Sequence, residues 1–167
     1  MNMSNKIIYH GAIIEVQCPL VNYGRSELDF GPGFYITHDR EQAEKWAQTK
    51  ATRKKTSIPV LNVYHFDEEA FLQANYTKHV FTAYDKEWLD FIAQSRKGKH
   101  PWEGLDWIEG GIANDSVIST VDAYVDNFIT AEQAIDHLVN EELRHQVCIR
   151  KQEIVDKYLH FVKSVNL

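Results

Sequence analysis

Phe30-Gly31-Pro32-Gly33-Phe34-Tyr35-Ile36-Thr37-His38-Asp39 is the stretch from which the fold is read. Two glycines around a proline shape a tight turn. The residues that follow are aromatic or β-branched, a composition that favours a strand. Asp39 then suits the N-cap of a helix, with Gln42 three positions on completing a capping-box-like pair. In that helix Ala43, Trp46, Ala47 and Ala51 recur at the 3, 4, 7 spacing of one face.

Outward from this unit, strands and helices mix. Lys6 to His10 is a short apolar run ending at His10-Gly11, which predicts a strand that stops at a turn. Ile58 to Phe66 sets Val60, Asn62, Tyr64 and Phe66 against Leu61, Val63 and His65, the period of a strand. A short helix over 67–75 and a strand over 78–82 follow. Asp85 caps a helix with Trp88, Leu89, Phe91 and Ile92 inward, and 96–104, with Gly98, Pro101 and Gly104, reads as a loop. Leu105 to Ile108 is a strand running into Gly110-Gly111. Asp115 or Ser116 caps a helix whose inner side carries Val117, Ile118, Val121, Tyr124, Val125 and Phe128. Thr130 and Gln133 form a capping box for a helix to about Leu143. A strand over 146–149, a helix over 153–158 and a strand over 159–165 end the chain. No repeat or linker interrupts it, so residues 1–167 read as one domain. Without strict βαβ alternation the fold class is α+β.

Bulk properties narrow the function. The chain has 167 residues, 44% hydrophobic and 25% charged, ordinary values for one globular core. A net charge of -6 and a pI near 5.7 give no overall attraction to phosphate backbones or anionic membranes. A nucleic-acid target therefore needs a local patch. Arg53-Lys54-Lys55 is the compact basic run, and its first reading is the solvated end of a helix. No signal-peptide core and no stretch of about 18 apolar residues is present. Cys18 and Cys148, far apart and without zinc-ligand spacing, read as reduced thiols of a cytoplasmic protein. The remaining histidines show no ligand spacing, so no metal is expected.

Three segments carry possible chemistry. Tyr9-His10-Gly11 puts a hydrogen-bonding imidazole beside a residue that permits close backbone approach; a surface histidine before a turn glycine is the bland alternative. In Gly31-Pro32-Gly33-Phe34-Tyr35 the adjacent aromatics face opposite ways, with Phe34 expected in the core and Tyr35 toward a cleft. The alternative is a hairpin with two packing aromatics. In Arg144-His145-Gln146-Val147-Cys148, Gln146 and Cys148 share one face; Gln146 reads either as a ligand for a ribose hydroxyl or as a polar residue opening an edge strand.

Taken in order, these segments resemble the signature elements of the ADP-ribosyltransferase superfamily, the group of diphtheria toxin and the poly(ADP-ribose) polymerases. The pattern is a strand ending in His-Gly, a Gly-x-Gly-aromatic-Tyr strand leading to a helix, and a late strand with an acidic residue. The YHG start, DFGPGFYIT with its AEKWA helix, the GGIAND stretch and the late glutamine are similar to a small bacterial branch. The resemblance spans Tyr9 to about Ile149. It implies two small antiparallel-rich sheets packed face to face, helices around them and an NAD cleft between.

By position, the resemblance implies that His10 bonds the adenosine-side ribose, that Gly11 holds the nicotinamide amide and that Tyr35 stacks on the nicotinamide ring. Gly33 of the turn and Asn114 of GGIAND join the NAD-binding set, although capping of the next helix is the competing reading for Asp115. Gln146 falls where the superfamily has glutamate, the residue that binds the nicotinamide-side ribose and stabilises the oxocarbenium-like transition state. Losing that charge costs about 3 kcal/mol, roughly a hundredfold in rate. Glu109, Asp115 and Glu142 are the nearby carboxylates that would compensate. The implied activity is mono-ADP-ribosylation of a macromolecular acceptor, protein or nucleic acid, by a toxin or phage-defence effector with an antitoxin as partner. An inactive NAD- or ADP-ribose-binding module and an NAD glycohydrolase are the alternatives.

Overall fold

The computed structural model describes residues 5–23, 29–55, 57–113 and 115–167. Their order is β1 (Asn5–Ala12), a 3-10 turn (Val21–Tyr23), β2 (Phe34–Ile36), α1 (Arg40–Arg53), β3 (Val60–Asp67), α2 (Glu68–Gln73), β4 (Lys78–Val80), α3 (Lys86–Arg96), β5 (Trp107–Gly111), α4 (Asp115–Val125), α5 (Ala131–Leu138), β6 (His145–Ile149), α6 (Gln152–Tyr158) and β7 (Leu159–Asn166). The class is α+β. One sheet has the order β1-β3-β7 and is antiparallel; the other has the order β2-β6-β5-β4, antiparallel except for the parallel pair β4-β5.

Alternation along the strands creates two cores on opposite sides of the four-stranded sheet. Phe34, Ile36, Trp107, Val147 and Ile149 bury against Ile8, Tyr64 and Phe66 of the three-stranded sheet. The alternate residues Ile108 and Cys148, with Tyr35, pack against α3, α4 and α5 through Trp88, Ile92, Val121 and Leu138. Helix α1 covers the three-stranded sheet, setting Ala43 against Leu61, Val63 and Tyr9. Its small residues permit this: Ala43 and Ala47 are fully buried. A single two-residue bridge, Tyr9 with Thr37, links β1 to the end of β2 through hydrogen bonds of 2.8 and 3.0 Å.

Several expectations need correction. β1 does not stop at His10-Gly11; it runs to Ala12, because β3 offers ladder partners as far as Val60. Asp39 accepts from the Gln42 amide, but the Gln42 side chain donates to His145 O at 2.6 Å, so the box closes on one side only. α5 ends at Leu138, well before Leu143, where the chain turns toward β6. Phe128 is 81% exposed rather than inward, since α4 stops at Val125 and Asn127 takes a left-handed φ of 61°. Ser116 lies inside α4 and is not its cap, while the side chain of Asp115 lies outside the described set. The capping box of Thr130 and Gln133 forms as expected.

Candidate functional site

A cavity of about 890 Å³ opens where β1 meets the edge strand β2, and its wall includes His10, Gly33, Tyr35 and Gln146. His10 lies on the β1 face shared with Ile8, so its ring reaches the other sheet and sits 4.4 Å from the Phe34 ring, centroid to centroid. Its Nδ1 hydrogen-bonds Tyr35 O at 2.6 Å. A carbonyl only accepts, so Nδ1 carries the hydrogen and Nε2 keeps the lone pair. Burial, then the Lys50 charge, hold the imidazole pKa down at about 3, and it is neutral at ordinary pH.

Tyr35 pairs with Cys148 across β2 and β6. Its hydroxyl donates to Gly31 O at 2.6 Å and accepts from Phe30 N at 3.2 Å. The phenol thus ties the Gly-Pro-Gly turn to the strand. Burial and the neighbouring Cys148 raise the phenol pKa strongly, so it stays protonated. Phe34 packs in the inter-sheet core yet also lines the cavity. The turn has physical reasons for both glycines. Gly31 adopts φ +77°, and an added Cβ would meet Trp102 at 2.6 Å; one at Gly33 would meet Cys148 Sγ at 2.4 Å. The turn is further held by Arg150, which donates to Pro32 O at 2.6 Å and lies over the Trp102 ring.

Gln146, 4% exposed, opens the β6 face that carries Cys148, and its Nε2 approaches Gly111 O at 3.5 Å. Of the carboxylates considered as compensation, Glu109 and Glu142 do not join it, and the side chain of Asp115 lies outside the described residues. Glu109 pairs with Val147 in register, so it faces the other side of the sheet, where it takes His145 Nε2 at 2.6 Å. Glu142 is exposed. Among the described residues the cavity's carboxylates are Asp29 and Asp122. Arg96 holds both, at 3.3 Å and 2.5 Å. Burial raises the Asp29 pKa, and Arg96 works against that rise.

Gly11 stands apart from the cavity wall. An added Cβ there would lie 2.0 Å from Ala43 O, so the glycine makes room for α1. Its own carbonyl accepts from Lys50 Nζ at 2.6 Å. Asn114 lies outside the described residues. Cys148 is buried and its thiol pKa is pushed up to about 12 by that burial, which leaves it no nucleophilic role near neutrality. Among the described residues no group of three or more His, Cys, Asp or Glu is placed to hold a metal ion.

Sequence reasoning missed several wall residues. Arg96 lies four positions beyond Ile92 on the inner row of α3, where a cation on an apolar row was the available signal; Lys50 lies four beyond Trp46 on α1, at the edge of its buried alanine face. Asn62 also escaped notice. It is fully buried, accepts from Val16 N at 2.8 Å and donates to Ile14 O at 3.1 Å. With Tyr64, whose hydroxyl donates to Val16 O at 2.6 Å, it fixes the loop after β1 that forms the apolar wall. That signal was a polar residue at an inward strand position.

No helix among the described residues is long and apolar enough to cross a membrane. A family profile described as Protein of unknown function (DUF3990) matches residues 6–161. No curated protein and no solved structure matches the chain.

Proposed function

We propose that this chain, which belongs to the DUF3990 family, binds NAD between its two sheets and acts as a mono-ADP-ribosyltransferase. One observation carries the reading. His10, Tyr35 and Gln146, from three strands and both sheets, line one cavity, and its volume of about 890 Å³ is in the range of small-molecule sites. The neutral His10 keeps an acceptor nitrogen for a ribose hydroxyl. The Tyr35 ring offers a surface for a planar heterocycle, stacking worth on the order of 1 kcal/mol. The Gln146 amide is suited to the second ribose.

In this reaction the C1′–N bond to nicotinamide breaks, and nicotinamide leaves as a neutral pyridine with the bonding pair. An acceptor nucleophile bonds C1′ and gives its proton to water. Nothing in that balance calls for a metal. The chain's part is to bind, orient and exclude water, and the missing carboxylate charge at Gln146 makes the reaction slow. A toxin or phage-defence setting with an antitoxin partner fits such an activity by resemblance.

A second reading has its own observation: Asp29 and Asp122 are both taken up by Arg96, and Glu109 faces away. A cavity without a spare carboxylate among the described residues suits an NAD- or ADP-ribose-binding module. Calorimetry with NAD, paired with a nicotinamide-release assay in the presence of cell lysate, separates the two. Binding with release supports transfer, with water as acceptor if free ADP-ribose accumulates. Binding without release supports the module. Absence of binding, or unchanged affinity in His10→Ala, rejects the cavity as an NAD site.

A further inference from the structure

We infer that the C-terminal half of α1 docks single-stranded nucleic acid at the mouth of the cavity. Trp46, Lys50 and Arg53 are spaced four and three residues apart, so they share one helical face. Trp46 and Lys50 line the cavity, Lys50 with its ammonium on Gly11 O at 2.6 Å, and the cations open to phosphate begin at Arg53, which continues the same face one turn beyond. Lys54 and Lys55 extend the charge past the helix end. Arg53, Lys54 and Lys55 are exposed, and no carboxylate pairs with them among the described residues. The cavity's own carboxylates, Asp29 and Asp122, are already held by Arg96.

On a chain of net charge -6 this is a local cationic track leading from an aromatic ring. Cations that follow a phosphate backbone beside an aromatic that stacks a base form the usual platform for single strands. A duplex keeps its bases stacked and has none to give Trp46, and an acidic peptide has no planar base for it. The polymer is therefore single-stranded, and its phosphates run toward Lys55. On the NAD reading, this face presents a nucleobase or sugar hydroxyl to the cavity as the ADP-ribose acceptor. That acceptor role rests on the NAD reading; the docking does not.

The test uses the full chain without NAD, titrated with fluorescent deoxy- and ribo-oligonucleotides of 12 nucleotides, chosen to span the face at roughly the site size of such platforms. The two arms identify which sugar binds the better. The expected result is binding whose log affinity falls with log salt at a slope of about -2 to -3, as a few phosphate contacts require. Trp46 is half-buried whereas Trp88, Trp102 and Trp107 are 0%, 8% and 6% exposed, so quenching of tryptophan emission reports on Trp46. Arg53→Glu/Lys54→Glu/Lys55→Glu should weaken binding at least tenfold and flatten the slope. The milder triple change to Gln should act in the same direction, which guards against a folding defect in the first variant. Trp46→Leu should weaken binding and leave the slope intact. Equal affinity for a duplex, equal competition by an acidic peptide of matched charge, or unchanged binding in both triple variants overturns the inference. Because NAD is absent throughout, its failure is distinct from failure of the NAD reading.

Discussion

The imidazole of His10 on β1 donates to the backbone carbonyl of Tyr35 on β2 at 2.6 Å, and this bond joins the two sheets at the cavity wall. It fixes the tautomer of one candidate ligand and the strand position of the other. The first prediction concerns its proton. The folded pKa is depressed to about 3 against an ordinary 6.5, so between these values the unfolded chain binds a proton that the native state refuses. Stability from this group is complete above pH 6.5 and declines as pH falls toward 3, by up to about 1.4 kcal/mol per pH unit. Urea midpoints at pH 7.5 and 5 should differ in the wild type and differ less in His10→Gln, an amide that still donates. A His10 carbon–proton NMR signal that titrates near 6.5 refutes it.

Gly11→Ala should be among the most damaging single methyl additions in the chain. The new Cβ meets the backbone of α1, Ala43 O at 2.0 Å and Ala47 N at 2.8 Å, and backbone does not yield as a side chain does. A loss of about 3 kcal/mol or more is expected. Gly104→Ala has open space around it and only a φ of +78° to tolerate, for a loss of about 1 kcal/mol. Thermal melts of the two variants should be well separated; equal melting temperatures would mean that α1 sits farther from β1.

Tyr35 is structural as well as a candidate ligand, so stability and activity are not cleanly divided between Phe34 and Tyr35. Tyr35→Phe removes a hydroxyl with two partners, Gly31 O and Phe30 N, and should cost about 1–2 kcal/mol while keeping the ring. Phe34→Ala should cost about 3–5 kcal/mol from the inter-sheet core. On the proposed reading, Tyr35→Phe still binds NAD. Loss of NAD affinity in a folded Tyr35→Phe would shift the ligand contact from ring to hydroxyl.

Gln146→Glu should raise nicotinamide release about a hundredfold, because it restores the negative charge that the oxocarbenium-like state lacks. The gain should depend on pH. Gln146 is buried and its amide approaches Gly111 O, so a carboxylate there faces an acceptor and favours its protonated form near neutrality. The increase should grow from pH 6 to pH 8.5, with Gln146→Ala inactive throughout. Full turnover by Gln146→Ala would move the role to another residue.

The sequence by itself determined the local units. The Gly-Pro-Gly turn, the strand through Phe34 and Tyr35, the Asp39, Asp85 and Thr130 caps and the alternation in β3 and β6 depend on neighbours a few residues away, where backbone sterics and capping bonds act. It also fixed that Phe34 and Tyr35 face opposite ways, and with them the two cores. The tertiary structure alone decided what depends on distance across the fold. It gave Gly11 to α1 rather than to a turn, because β3 is long enough to extend β1. It turned Glu109 toward His145 and away from Gln146, because the register of β5 on β6 sets which face each residue takes. It also brought Asp29 and Asp122 to Arg96, three charges 26 to 93 residues apart in the chain. Such pairs meet only when helices pack, and no local pattern encodes them.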